Sequence, residues 1–188
     1  MDPGSRTCLV TQQVAGTLFN TFTTAKTVIN AQALTTLPGG WLQPGSKLAI
    51  RAQGAISNIV TTPGTITFQV MFGSVIAFTT GALQLNASAH TTLPFWLDID
   101  LTCQVVGSGT TAKMMGLARA TGIMFTATAG QTDSAQGPQT LMGPATNPAL
   151  GTGFDSTASQ AIDFFAGFSI SNAGNGVRID QYSVEWVK

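Results

Sequence analysis

Residues Gln160–Lys188 read QAIDFFAGFSISNAGNGVRIDQYSVEWVK. Ile162, Phe164, Ala166, Phe168 and Ile170 take every second position, with Asp163, Gly167 and Ser169 between them and Phe165 the one bulky exception. A period of two marks a strand with one buried face. Ser171-Asn172-Ala173-Gly174-Asn175-Gly176 follows, a run that tolerates positive φ and suits a turn. The chain resumes as Val177–Val187, rich in β-formers. The stretch predicts a long β-hairpin near the centre of an all-β sandwich. In its second strand the phase changes, Val177 and Ile179 sharing one parity and Tyr182, Val184 and Trp186 the other. A β-bulge near Asp180-Gln181 reconciles them; without one, the strand is covered on both faces.

Working outward, the same period recurs. Thr92–Val106 is the longest clean alternation: Phe95, Leu97, Ile99, Leu101, Cys103 and Val105 on one face, Trp96, Asp98, Asp100, Thr102 and Gln104 on the other. Lys47–Gln53 sets Leu48, Ile50 and Ala52 against Lys47, Arg51 and Gln53, and Thr65–Phe72 sets Ile66, Phe68, Val70 and Phe72 against Thr65, Thr67 and Gln69. Gly73-Ser74 joins the latter to Val75–Thr79 as a two-residue connection with Gly first, which suits a type II′ turn. Gly107-Ser108-Gly109 turns the chain into Thr110–Phe125, where Gly116 and Gly122 mark a bulge or a close neighbour. Gly16–Ile29 reads as a strand with an irregular middle, Gly81–Leu85 as a short strand, and Trp41-Leu42 as a pin for a Pro/Gly-rich loop. Thr126–Ser159 is irregular, with a short strand at Gln139–Met142, and reads as a surface excursion packed on the sandwich. No stretch has a helical stripe with caps. Eight or nine antiparallel strands at this spacing predict a jelly-roll-like β-sandwich, with residues 1–15 as an extended N-terminal arm and residues 16–188 as a single domain.

Composition narrows the function. The 188 residues are 44% hydrophobic and only 9% charged, with 8 basic against 8 acidic side chains and a formal net charge of +0. Nucleic-acid binding draws most of its affinity from Lys and Arg on phosphates, so a neutral chain without a basic run is a poor candidate; a polybasic membrane anchor is missing for the same reason. Met1–Thr7 has no apolar core of a secretory signal, and no apolar run approaches the roughly 20 residues of a spanning helix. Near-zero charge gives little protection against self-association, which points to an oligomer or a larger assembly.

No motif carries chemistry. His90 is the single histidine, in the loop-like SAHTT, and no Gly-x-Ser-x-Gly elbow exists; it reads as a surface histidine. Asp98 and Asp100 share a strand face at about 7 Å, a spacing known for glycosidase pairs, but they read as an outward polar face or as ion pairs with Arg51, Lys47 or Arg178. Asp155, Asp163 and Asp180 are scattered. One His and two Cys argue against zinc, leaving open only a calcium site of loop carbonyls. Catalytic residues, cofactors and metals are therefore all expected to be absent. Cys103 has core parity, and its pairing with Cys8 stays open. Trp96 and Phe165 stand on the non-core parity of their strands, which marks either an interface or a sugar-binding platform. The candidate subunit-interface residues are Trp96, Phe165, Tyr182, Trp186, Arg51, Asp98 and Asp100.

The blocks KLAIRAQGAISNIVTTPGTITFQVMFGSVIA (47–77), FWLDIDLTCQVVGSGTTAKMMG (95–116) and GTGFDSTASQAIDFFAGFSISNAGNGVRIDQYSVEW (151–186) resemble a group of small phage and prophage virion proteins, over about Leu34–Trp186. The resemblance implies a jelly-roll-like virion protein that assembles as a homotrimer, with no catalytic motif. Two classes follow from it. The first is a capsid decoration, or cement, protein that bridges subunits of the major capsid protein, assembled in the host cytoplasm and carried on the capsid surface. The alternative is a receptor- or glycan-binding domain of a tail fibre or tail tip.

Overall fold

The structure, a computed structural model, describes residues 6–132, 137–146 and 149–187. Two antiparallel sheets face one another. The larger runs β1 (Arg6–Thr11), β14 (Gly176–Val187), β5 (Lys47–Asn58), β9 (His90–Val105), β10 (Lys113–Gly122) and β11 (Gln139–Gly143), with β2 (Phe19–Asn20) on β14 and β12 (Ala149–Leu150) on β10. The smaller runs β3 (Lys26–Thr27), β13 (Gln160–Phe168), β6 (Thr65–Phe72) and β7 (Val75–Thr79), with β4 (Thr35–Leu37) on β13 and β8 (Leu83–Gln84) on β6. The one helical turn described is a 3₁₀ segment, Ala31–Ala33.

Take the eight principal strands, β1, β3, β5, β6, β7, β9, β13 and β14, in chain order. The first pairs with the last, the second with the seventh, the third with the sixth and the fourth with the fifth. Those nested pairs are one long hairpin rolled up into two sheets, which is the jelly roll expected. β10 extends the larger sheet beyond it through the Gly107-Ser108-Gly109 turn, with Lys113 opposite Val105.

The expected hairpin of Gln160–Lys188 is corrected. β13 and β14 each form as read, but they lie in different sheets, and Ser171–Asn175 arches between them. Turn-tolerant residues suit an arch between sheets as well as a hairpin, and both strands find non-local partners: β6 for β13, β5 for β14. Asn175 holds the arch. Fully buried, it accepts from the Ile59 backbone N–H and donates through Nδ2 to the carbonyls of Pro63 and Ile170.

The phase change in β14 is a bulge, with the register shifting between Ile179 and Gln181 opposite Gln53 and Gly54. Val177, Ile179, Tyr182, Val184 and Trp186 all point inward as a result and are buried. The Gly73-Ser74 hairpin is present, with Gly73 at φ 59 and Phe72 opposite Val75, as a type II′ turn requires. Gly16–Ile29 is not one strand. Its irregular middle carries the chain from β2 in the larger sheet to β3 in the smaller.

The core is aromatic. Phe68 stacks on Phe95 across the sheets and on Phe164 beside it, each at 5.6 Å between centroids. Phe154, from the Thr126–Ser159 connection, meets Phe72 edge-on at 4.9 Å, so part of that excursion belongs to the core. Trp41 stacks on Trp186 at 4.5 Å and pins its loop. Gly116 lets Phe78 and Leu101 approach; a Cβ there would lie 2.5 Å from each. The short strand expected at Gln139–Met142 is β11. Residues 1–5 of the expected arm and the Asn147-Pro148 turn lie outside the described residues; Arg6–Thr11 pairs along β14 as an edge strand.

Candidate functional site

The outer face of the larger sheet gathers most of the residues singled out from sequence. Its register fixes the layout. One row across the strands reads Gln181, Gln53, Trp96, Thr121, Thr140; the next reads Ser183, Arg51, Asp98, Arg119, Met142. A third reads Cys8, Glu185, Ala49, Asp100, Leu117, and a fourth Arg6, Val187, Lys47, Thr102, Met115, Leu150.

Charges of alternating sign cross five adjacent strands. Arg6 Nη1 lies 3.0 Å from Glu185 Oε2, Arg51 Nη1 3.8 Å from Glu185 Oε1, Arg51 Nε 3.8 Å from Asp98 Oδ1, and Arg119 Nη2 3.0 Å from Asp98 Oδ2. The Arg51–Asp98 contact is the cross-strand ion pair expected from sequence. Arg6, Glu185 and Arg119 were missed, because each lies on a strand whose neighbours only the topology supplies. Outward parity alone would have found Arg119, between the inward Ala118 and Ala120. Asp100 stands on the same face and joins no ion pair among the described residues. Small Ala49 floors a polar depression of about 390 Å³ walled by Arg6, Arg51, Gln53, Asp98, Asp100 and Arg119.

Trp96 is 52% exposed, one row from the ladder, between Gln53 and Thr121. At the opposite corner Met115 and Leu150 pair across strands, and Leu150 and Met142 are 47% and 61% exposed. Phe165 lies half-buried on the outer face of the smaller sheet, between Thr27 and Gln69. The structure places Tyr182 and Trp186 inside the sandwich, 2% and 9% exposed, where neither can reach a second subunit.

The expectation of a surface histidine is corrected. His90 opens β9 and is buried. The Asn58 amide donates through Nδ2 to the carbonyls of Asn86 and Ser88, which turns its Oδ1 to His90 Nδ1 at 2.6 Å. Nδ1 must therefore carry the proton. Cys8 is exposed on β1 and Cys103 is buried on β9; both are free thiols, which closes the disulfide question. Burial pushes the Cys103 thiol pKa up. Among the described residues no three of His, Cys, Asp and Glu gather as a metal site, and no helix is long and apolar enough to cross a membrane.

No protein-family model matches the chain, and no curated protein matches it. A solved structure, the CBM2 module of Lactobacillus casei BL23 phage J-1 evolved Dit, is similar at 10% sequence identity and a TM-score of 0.31, over 99% of this chain and 98% of that one. At that identity and score the likeness carries no conclusion to this chain, whose fold stands on its own strand pairing.

Proposed function

We propose that this chain is a non-enzymatic structural protein of a phage virion, a homotrimeric capsid decoration protein that bridges subunits of the major coat protein. What carries the reading is the outer face of the larger sheet. Six strands spaced ~4.8 Å apart and about eight residues long present roughly 600 Å², close to the ~800 Å² each partner gives a standard interface. The face is rich in Arg, Met and Trp, the residues enriched where proteins meet. Its apolar corner of Met115, Leu117, Met142 and Leu150 supplies an anchor, and in its ladder of three arginines and two carboxylates each charge already faces one of opposite sign, which lowers the cost of burying them. The resemblance of residues 34–186 to phage virion proteins agrees with this use.

Light scattering on the purified chain tests the oligomer, with an expected mass of three times 19.4 kDa. Electron micrographs of intact particles test the location, with the protein expected in many copies over the shell. A monomer would remove the trimer. A few copies at the tail tip would replace decoration by the receptor-binding reading, which half-exposed Trp96 favours.

A further inference from the structure

Trp96 stands apart from the apolar corner of this face. It sits about 20 Å along β9 from the apolar corner at Thr102 and Met115, and its row is otherwise polar. Gln53 and Thr121 flank it directly, and Thr121 Oγ1 is tied to Thr140 Oγ1 at 2.9 Å. One row away, about 7 Å along the strands, begins the depression over Ala49. Its planar groups are held by one another: Asp98 sits between the guanidinium groups of Arg51 and Arg119. An exposed indole beside fixed planar donors and acceptors meets the two needs of a pyranose. The ring's C–H face stacks on an aromatic plane, and its adjacent hydroxyls take paired hydrogen bonds from amide, guanidinium and carboxylate groups.

We infer that Trp96, Gln53, Arg51 and Asp98 form a carbohydrate-binding site for a neutral oligosaccharide, one sugar ring stacked on Trp96 and the sugar chain running on over Arg51 and Asp98 into the depression over Ala49. Ala49 lies two rows from Trp96, about 13 Å along the strands, a span longer than one pyranose ring, which sets an oligosaccharide above a monosaccharide. Charge selects the neutral class. Of the three arginines over the depression, Arg6 faces Glu185 and Arg51 and Arg119 face Asp98, and Asp100 adds a further negative charge at its wall, so an anionic sugar would meet no excess of positive charge. The site does not rest on the decoration reading but competes with it for this face, since a sugar needs Arg51 and Asp98 open and a protein partner seated there would cover them.

The test is titration of the purified full chain with a panel of neutral trisaccharides (maltotriose, cellotriose, chitotriose) and, as the anionic arm, sialyllactose, read by tryptophan fluorescence and by calorimetry. At least one neutral trisaccharide is expected to bind. Trp96→Ala is expected to weaken it by about tenfold or more, equivalent to ~1.4 kcal/mol, while Trp96→Tyr retains most of it and Gln53→Ala loses a few-fold. Because Trp96 and Gln53 stand on the outer face, circular dichroism melts of the variants should match wild type. Binding of sialyllactose alone, binding unchanged in Trp96→Ala, or no binding anywhere in the panel overturns the inference. If Trp96→Ala abolishes attachment to particles while no sugar binds, Trp96 is a protein anchor, and the decoration reading stands without the sugar site.

Discussion

Among single residues, Tyr182 is the one whose environment departs furthest from its chemistry. Its ring packs against Phe164 at 5.6 Å, and its buried hydroxyl has no hydrogen-bond partner among the described residues. Burial, and then the nearby charge of Asp163, push the phenol pKa up. A buried hydroxyl without a partner costs about 1–3 kcal/mol, so Tyr182→Phe is expected to stabilise the fold by about 1 kcal/mol in denaturant titrations. The pH dependence has a definite sign. The unfolded phenol ionises near its ordinary pKa of about 10, whereas the folded one stays neutral. The stability this group contributes is therefore complete below about pH 10 and lost as pH rises above it. Cys103, also raised, adds to the loss from about its ordinary 9.0 upward. Tyr182 is the only tyrosine, so phenolate absorbance reports it alone. It should appear only as the protein unfolds, and Tyr182→Phe should flatten the alkaline decline without abolishing it. Phenolate formation in the folded protein near pH 10 would contradict the buried placement.

At the scale of elements, the bulge in β14 decides which side chains reach the core. One unpaired residue lets two runs of opposite parity face inward, and Gly54 on β5 makes the room. A Cβ at Gly54 would lie 1.9 Å from the Arg178 carbonyl oxygen, a backbone atom that cannot swing away. Gly54→Ala is expected to cost ~1–3 kcal/mol or more, measured as a lower thermal midpoint; an unchanged midpoint would mean the bulge is not held there. The bulge was legible in the sequence because the parity of Val177 and Ile179 conflicts with that of Tyr182 and Trp186. The inward face of β9 from Phe95 to Cys103 was legible for the same reason, a strand's faces being a local property, whereas Val105, expected on that face, lies beyond the register shift opposite Lys113 and is exposed. Pairing is not local. Nothing in Ser171–Gly176 distinguishes a hairpin from an arch, and Asn175 chooses the arch by bonding Ile59 and Pro63, more than a hundred residues away. His90 shows the same limit, since its loop-like surroundings hid the partner, Asn58, that buries it.

For the whole molecule, the question is where the scarce charges are kept. Arg6, Arg51, Asp98, Arg119 and Glu185 form one ladder on one face, yet their side chains remain 18–61% exposed. Exposed pairs contribute about 0–1 kcal/mol each, too little for the ladder to be what holds the sandwich together. In the proposed assembly its alternation serves burial under a neighbouring subunit, where each charge needs a counter-charge already in place. Arg119, beside Met142 at the margin of the apolar corner, separates the two roles. In the isolated chain Arg119→Ala should shift stability by less than ~1 kcal/mol. In the proposed oligomer it should leave Asp98 short of a partner in a water-poor contact and weaken association by about 2–5 kcal/mol, read as faster subunit exchange. Equal, small effects in both settings would mean that the ladder stays in water after assembly, and the interface would then have to be sought on the smaller sheet, around Phe165.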